Sequence, residues 1–145
     1  MQLQPAKLIF KRIDETLPVP EYQTSGAVGF DLYARETTTI NPGQVTLIPS
    51  NLIFVIPKGY VLLINSRSST ARKKGLLIPM GVIDNDYCGP EDEVKIQTYN
   101  FTNEPVTIER GERFAQGLLM PILTPTLFEG NVGKKSRGGF GTTGQ

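Results

Sequence analysis

Apolar and β-branched residues run through the chain in short blocks separated by turn-forming residues. The blocks cover 7–13, 37–40, 45–49, 52–56, 60–64, 93–100 and 114–122. Between them stand Asn41-Pro42-Gly43-Gln44, Pro57-Lys58-Gly59 and Arg110-Gly111-Glu112, each a sequence that reverses the backbone. Short strands at this spacing predict an all-β sandwich, jelly roll or barrel. Helical periodicity is nearly absent. One short helix is predicted over 69–74, closed by Gly75 as its C-terminal cap. A weak internal echo relates Thr39-Ile40-Asn41-Pro42-Gly43-Gln44 to Thr107-Ile108-Glu109-Arg110-Gly111-Glu112. Two similar corners, each a strand end followed by a glycine turn, explain it without a duplicated domain.

The last stretch differs in character. Residues 129–145 hold six glycines, three basic residues and only two large apolar residues, Val132 and Phe140. Such a segment cannot build a core of its own. The expected organisation is therefore one all-β core over 1–128 and a flexible arm over 129–145. The arm reads either as a passive terminus or as a strap that closes over an anion. Glycines let backbone N–H groups converge on phosphate, and threonines add hydroxyl donors.

Composition narrows the chemistry. The 145 residues include no histidine, no tryptophan and one cysteine. A Ser-His-Asp triad, a Cys-His pair and a Cys2His2 zinc site are all excluded. One cysteine cannot make an internal disulfide, so the fold does not depend on an oxidising compartment. Proton transfer falls to Asp, Glu, Lys, Tyr or water, with a hard metal ion as the natural assistant. Fifteen basic and 14 acidic residues give a net charge of +1, which argues against a nucleic-acid-coating role. No apolar run approaches the ~20 residues of a membrane helix, and the first residues do not resemble a signal peptide. The expected setting is cytoplasmic, or the host cell interior for a virus-encoded chain.

Four segments carry candidate chemistry. In Ile83-Asp84-Asn85-Asp86-Tyr87 an extended chain puts Asp84 and Asp86 on one side, suited to water activation or metal work. A polar turn after a buried strand is the plainer alternative. Ser66-Arg67-Ser68-Ser69 precedes the short helix, where hydroxyls and a guanidinium fork can hold an anion; an ordinary helix cap with a surface arginine is the alternative. Gln116, in Gly111-Glu112-Arg113-Phe114-Ala115-Gln116, interrupts a run that otherwise looks buried and needs hydrogen-bond partners. The segment opens an apolar strand, with a solvated turn as the alternative for Glu112 and Arg113. Asp31 lies among apolar residues in Gly29-Phe30-Asp31-Leu32-Tyr33, where it either meets a metal's water shell or ties down a loop.

Taken together and in order, these segments resemble the five ordered motifs of the trimeric dUTPase family. The match runs from Gly26 to Gly144, and its most specific parts are the stretch 81–89 and the closing Gly139-Phe140-Gly141-Thr142-Thr143-Gly144. The resemblance implies a β jelly roll that hydrolyses dUTP to dUMP and pyrophosphate with Mg2+, limiting uracil in DNA and supplying dUMP for dTMP synthesis. It implies a homotrimer whose sites are shared between chains, with neither nucleic acid nor membrane as partner. By the same resemblance Asp84 is the base that orients water toward the α-phosphorus. Tyr87 lies against the deoxyribose and leaves no space for a 2′-hydroxyl. A strand pair from Gly81 through Ile83 to Tyr87 reads uracil with backbone groups. Arg67, Ser68, Ser69 and Gln116 hold the phosphates, and Asp31 sits in the outer shell of Mg2+. Phe140 stacks on uracil while Gly141, Thr142 and Thr143 close over the γ-phosphate.

The chain departs from the family pattern in three places. Lys135 stands where the last motif usually has its arginine, and Arg137 lies closer to Phe140, so either can make the tail's phosphate contact. Thr142 replaces the usual serine. After Gly89 the stretch Pro90-Glu91-Asp92-Glu93 is longer and more acidic than usual, which reads as a solvated, lengthened hairpin. Cys88, beside Tyr87, reads as inert unless exposed and activated. Two rival functions remain: a dCTP deaminase relative of the same fold, and a dUTP-binding regulatory protein without turnover.

Overall fold

The computed structural model of the protein describes residues 6–141. Among these residues, eleven strands and one helix follow in chain order. They are β1 (Ile9–Arg12), β2 (Phe30–Tyr33), β3 (Thr38–Ile40), β4 (Val45–Pro49), β5 (Leu52–Val55) and β6 (Tyr60–Ser66). Then come α1 (Thr70–Lys74), β7 (Leu76–Leu77), β8 (Gly81–Ile83), β9 (Lys95–Asn100), β10 (Val106–Ile108) and β11 (Arg113–Pro121). A four-stranded sheet has the order β2-β11-β6-β8 and a three-stranded sheet the order β4-β9-β7. Two ribbons, β1-β5 and β10-β3, complete the framework. Every pairing is antiparallel.

The alternation of side chains explains the layering. Along β9, Ile96, Thr98 and Asn100 point inward and are buried, while Lys95 and Gln97 face out. On the other sheet Leu32, Leu62, Ile64 and Phe114 turn toward the same core, which also takes Ile40, Ile48, Leu52, Phe54, Leu76 and Ile108. Buried polar groups are satisfied. Asn100 donates to the carbonyls of Ile40 and Glu104 at 2.8 and 2.7 Å and accepts from the Thr102 amide at 2.9 Å. That network closes the end of β9 onto β3.

The two echoing segments are partners: β3 and β10 pair with Thr39 opposite Thr107, whose hydroxyls lie 2.8 Å apart. The glycines that follow them, Gly43 and Gly111, adopt φ of 72° and 84°, as two matching corners require. The short helix ends as expected, with Gly75 left-handed at φ 67° and its N–H bonded to the Ala71 carbonyl. The chain changes sheets between β4 and β5 at Asn51, a non-glycine residue at φ 72°. Its side chain holds this corner by bonding both the N–H and the carbonyl of Asp14.

Candidate active site

Strand register assembles one half of the site. Across the four-stranded sheet, Phe30, Gly117, Ile64 and Gly81 form one row. In the next row Asp31 faces Gln116, which faces Asn65. A Cβ on Gly117 would lie 2.7 Å from the Phe30 ring, so the strands are close here and the polar row beside them is tightly placed. Asp31 is 6% exposed, with buried Phe30 and Leu32 on either side. Its carboxylate accepts from Arg67 Nε at 2.9 Å and from Arg113 Nη1 at 3.2 Å. A carboxylate this deep needs such partners. Gln116 Nε2 donates to the Ser66 carbonyl at 2.9 Å, and its Oε1 lies 2.4 Å from where a Cβ on Gly29 would stand. Gly29 is therefore the residue that leaves space for the Gln116 amide.

Two of the plainer alternatives give way here. Arg113 is not part of a solvated turn, because β11 begins with it and delivers its guanidinium to Asp31. Glu112 beside it pairs with Lys74. Ser69 occupies the cap position of α1 but makes no capping bond. Thr70 fixes the helix start instead, accepting from the Arg67 amide and donating to the Phe114 carbonyl. The Ser68 and Ser69 hydroxyls have no hydrogen-bond partner among the described residues, so both are open to a ligand.

The other half surrounds β8. Among the described residues this strand pairs with β6 alone, on one edge: Gly81 with Ile64, Val82 with Leu63, Ile83 with Leu62. Along an antiparallel edge, alternate residues turn N–H and C=O outward. That free edge faces a cleft of about 330 Å³ lined by Met80, Gly81, Val82, Ile83 and, opposite them, Lys95 and Gln97. Gly81, Ile83 and Tyr87 do not form the expected strand pair. After Ile83 the chain makes a turn, with the Tyr87 amide on the Asp84 carbonyl, and then crosses into the other sheet as β9. Asp and Asn at 84–86 end the strand, which leaves one free strand edge and the cleft across from it.

Asp84 is exposed at the end of β8, and its carboxylate has no hydrogen bond or ion pair among the described residues. It borders a second cleft, about 230 Å³, with Lys58, Tyr60 and Val61. Continuing the register places Asp84 beside Val61, six residues before Arg67. At 3.3 Å per residue that separates them by about 20 Å along β6. One chain thus brings Asp31, Arg67, Arg113 and Gln116 together at one end of β6 and Asp84 at the other.

The acidic stretch after Gly89 is not a solvated hairpin throughout. Gly89 and Asp92 close a small turn, with the Gly89 amide on Asp92 Oδ2 at 2.7 Å. Glu93 is 5% exposed and takes a two-point contact from Arg35, Nε at 2.7 Å and Nη2 at 2.9 Å. The same carboxylate accepts the Asn51 amide at 2.9 Å. Hydrogen bonding to Glu93 raises the Arg35 pKa, outweighing its partial burial. Tyr87, 40% exposed, donates its hydroxyl to the Glu93 carbonyl at 3.2 Å. Cys88 is exposed.

Beyond Pro121 the described chain has neither strand nor helix, and Leu123, Leu127, Phe128 and Val132 are all at least 90% exposed. Phe140 is fully exposed at φ 48°. Lys135 and Arg137 make no hydrogen bond or ion pair with other described residues. Gly141 is the last described residue; Thr142 and Thr143 lie outside the described residues.

The dUTPase family model matches residues 15–144. The chain belongs to the dUTPase family. Its relatives span its whole length: the deoxyuridine 5'-triphosphate nucleotidohydrolase of Lactococcus lactis is 38% identical, covering 99% of this chain and 99% of the relative. The dUTPase structure from Streptococcus mutans superposes with a TM-score of 0.74 at 38% identity, over 83% of this chain and 98% of that one. A mutant dUTPase of Staphylococcus bacteriophage 80alpha, bound to dUpNHpp, gives a TM-score of 0.79 at 27% identity, over 92% and 94%. The all-β jelly roll with one short helix, expected from the sequence, is the fold of this dUTPase.

Proposed function

We propose that this chain hydrolyses dUTP to dUMP and pyrophosphate, with Asp84 as the base. The observation that carries the reading is the Asp84 carboxylate: it is exposed beside an open strand edge and has no partner among the described residues, so both oxygens are available to a water. Asp84 takes a proton as the water oxygen bonds to the α-phosphorus. The bond from that phosphorus to its bridging oxygen breaks, and pyrophosphate leaves. Uracil docks on the free edge of β8 at Gly81 and Ile83, and Tyr87 lies against the deoxyribose. Arg67, Ser68, Ser69 and Gln116 hold the phosphates. Phe140, Gly141, Thr142 and Thr143, with Lys135 or Arg137, close over them from the arm at 129–145.

The backbone positions of Asp84 and Arg67 lie about 20 Å apart along β6, longer than one triphosphate from its α- to its γ-phosphorus. A site that takes the two residues from different chains accounts for that separation, which supports a homotrimer with shared sites. Among the described residues no three acidic or cysteine side chains gather around a cation position. That donor set fits Mg2+ arriving on the triphosphate, where the ion neutralises phosphate charge and keeps most of its waters. Asp31 fits an outer-shell role as well, because each oxygen keeps a lone pair for a water after its ion pair with an arginine. No helix among the described residues is long and apolar enough to cross a membrane.

The test incubates the protein and Mg2+ separately with dUTP, dCTP, dTTP and UTP, recording pyrophosphate and ammonia. Pyrophosphate from dUTP alone is the expected result. Ammonia from dCTP makes the chain a deaminase, and dUTP binding without turnover makes it a regulatory binder.

A further inference from the structure

We infer that the Arg35–Glu93 ion pair acts through the Tyr87 hydroxyl to hold the tyrosine ring in place, and so sets how strictly the site refuses a 2′-hydroxyl. The inference rests on the functional reading above. Refusal by contact works only against a wall that cannot retreat. Tyr87 is 40% exposed, and among the described residues its side chain makes one hydrogen bond, the hydroxyl on the Glu93 carbonyl at 3.2 Å, which therefore restrains the ring. That carbonyl is fixed because the Glu93 side chain is fixed. The carboxylate is buried, with Arg35 on it at two points and the Asn51 amide at a third. Both anchors belong to the framework. Arg35 follows β2 and donates its own amide to the Pro49 carbonyl at 2.9 Å, while Asn51 is the corner where the chain changes sheets. Within the loop, the turns at Asp84–Tyr87 and Gly89–Asp92 leave little slack between Asp84 and Glu93. The acidic stretch after Gly89 thus carries a positioning residue, Glu93, for the sugar-facing tyrosine.

Such a tether matters because a pocket rejects an added hydroxyl only modestly unless its wall is rigid. The readout is the ratio of kcat/KM for dUTP to that for UTP, measured beside Tm on the full chain. Tyr87→Phe keeps the ring and removes the tether; the ratio should fall about three- to tenfold, the rate equivalent of one hydrogen bond. Glu93→Gln keeps the shape but weakens the Arg35 contact, and should lower both Tm and the ratio. In the double variant the ratio should fall no further than in Tyr87→Phe alone, while Tm still falls. A Glu93→Gln variant with lower Tm and an unchanged ratio would overturn the inference, as would an unchanged ratio in Tyr87→Phe. A wild-type chain without preference for dUTP over UTP would instead overturn the functional reading, and this inference with it.

Discussion

Replacing Asp31 with Asn separates two roles for a buried acid of the site. Asp31 holds Arg67 at 2.9 Å and Arg113 at 3.2 Å. Asparagine has the same shape, yet its amide N–H2 would face one guanidinium, donor against donor, and the charge would be gone. Hydrogen bonds to charged groups contribute about 1.5–3 kcal/mol each. The arginine side chains are 25% and 43% exposed, so water replaces part of what they lose. The pair therefore loses about 2 kcal/mol in all, towards the low end for such contacts. For a domain of this size that lowers Tm by about 4–8 °C. Activity should respond through Arg67: once its guanidinium is free to turn, KM for dUTP should rise about tenfold, the equivalent of one charged hydrogen bond. Calorimetry and initial rates over a grid of dUTP and Mg2+ concentrations measure both effects. If Asp31 works chiefly by holding Arg67, the Mg2+ concentration for half-maximal rate stays nearly constant while KM climbs. A large shift in the Mg2+ requirement with KM unmoved would refute that reasoning and make Asp31 chiefly a partner of the metal's waters.

Other perturbations follow from single contacts. Gly29→Ala puts a methyl group 2.4 Å from the present position of Gln116 Oε1. The flexible amide should swing away and give up its bond to Ser66, with a stability loss of about 1 kcal/mol. Titration of a dUTP analogue should show several-fold weaker binding; unchanged binding would mean that Gln116 does not touch the phosphates. Asp14 is held at a pKa of about 2, below the usual 3.8, chiefly by the Thr16 hydroxyl and then by Arg110. Since its folded pKa is depressed, its contribution to stability is complete above about pH 4 and fades as pH falls towards 2. Urea unfolding of Asp14→Asn should show a shallower loss of stability between pH 4 and 2 than the parent; parallel curves would contradict the assignment.

Much of the fold was legible because strands announce themselves in alternation and turns in glycine. Residues 95–100 alternate faces along β9, and the Gly43 and Gly111 corners appear where the sequence echo put them. The short strands β2, β7 and β8 were harder to see, since two to four residues carry almost no period. At the site, the residue types pointed to the chemistry but not to the partners. Arg113 leaves a turn open as an alternative in the sequence; the pairing of β11 with β2 brings its guanidinium to Asp31. Glu93 looked solvated beside Glu91 and Asp92, and nothing local marks it as the one whose carboxylate Arg35 covers from 58 residues away in sequence. The strand pair expected for uracil was absent because β9 joins the other sheet, a long-range choice that the local pattern at 81–93 does not encode.

The shared site is tested most directly by subunit complementation between Asp84→Asn and Arg67→Gln. Each homotrimer alone should be nearly inactive. If Asp84 and Arg67 of one site come from different chains, random mixing makes half the chains intact at each position, so about a quarter of the sites regain both groups. The account predicts that chains refolded together at equal amounts recover about a quarter of the wild-type dUTP turnover. A mixture no more active than the average of the two homotrimers would contradict it, since a site built within one chain always carries one of the two lesions.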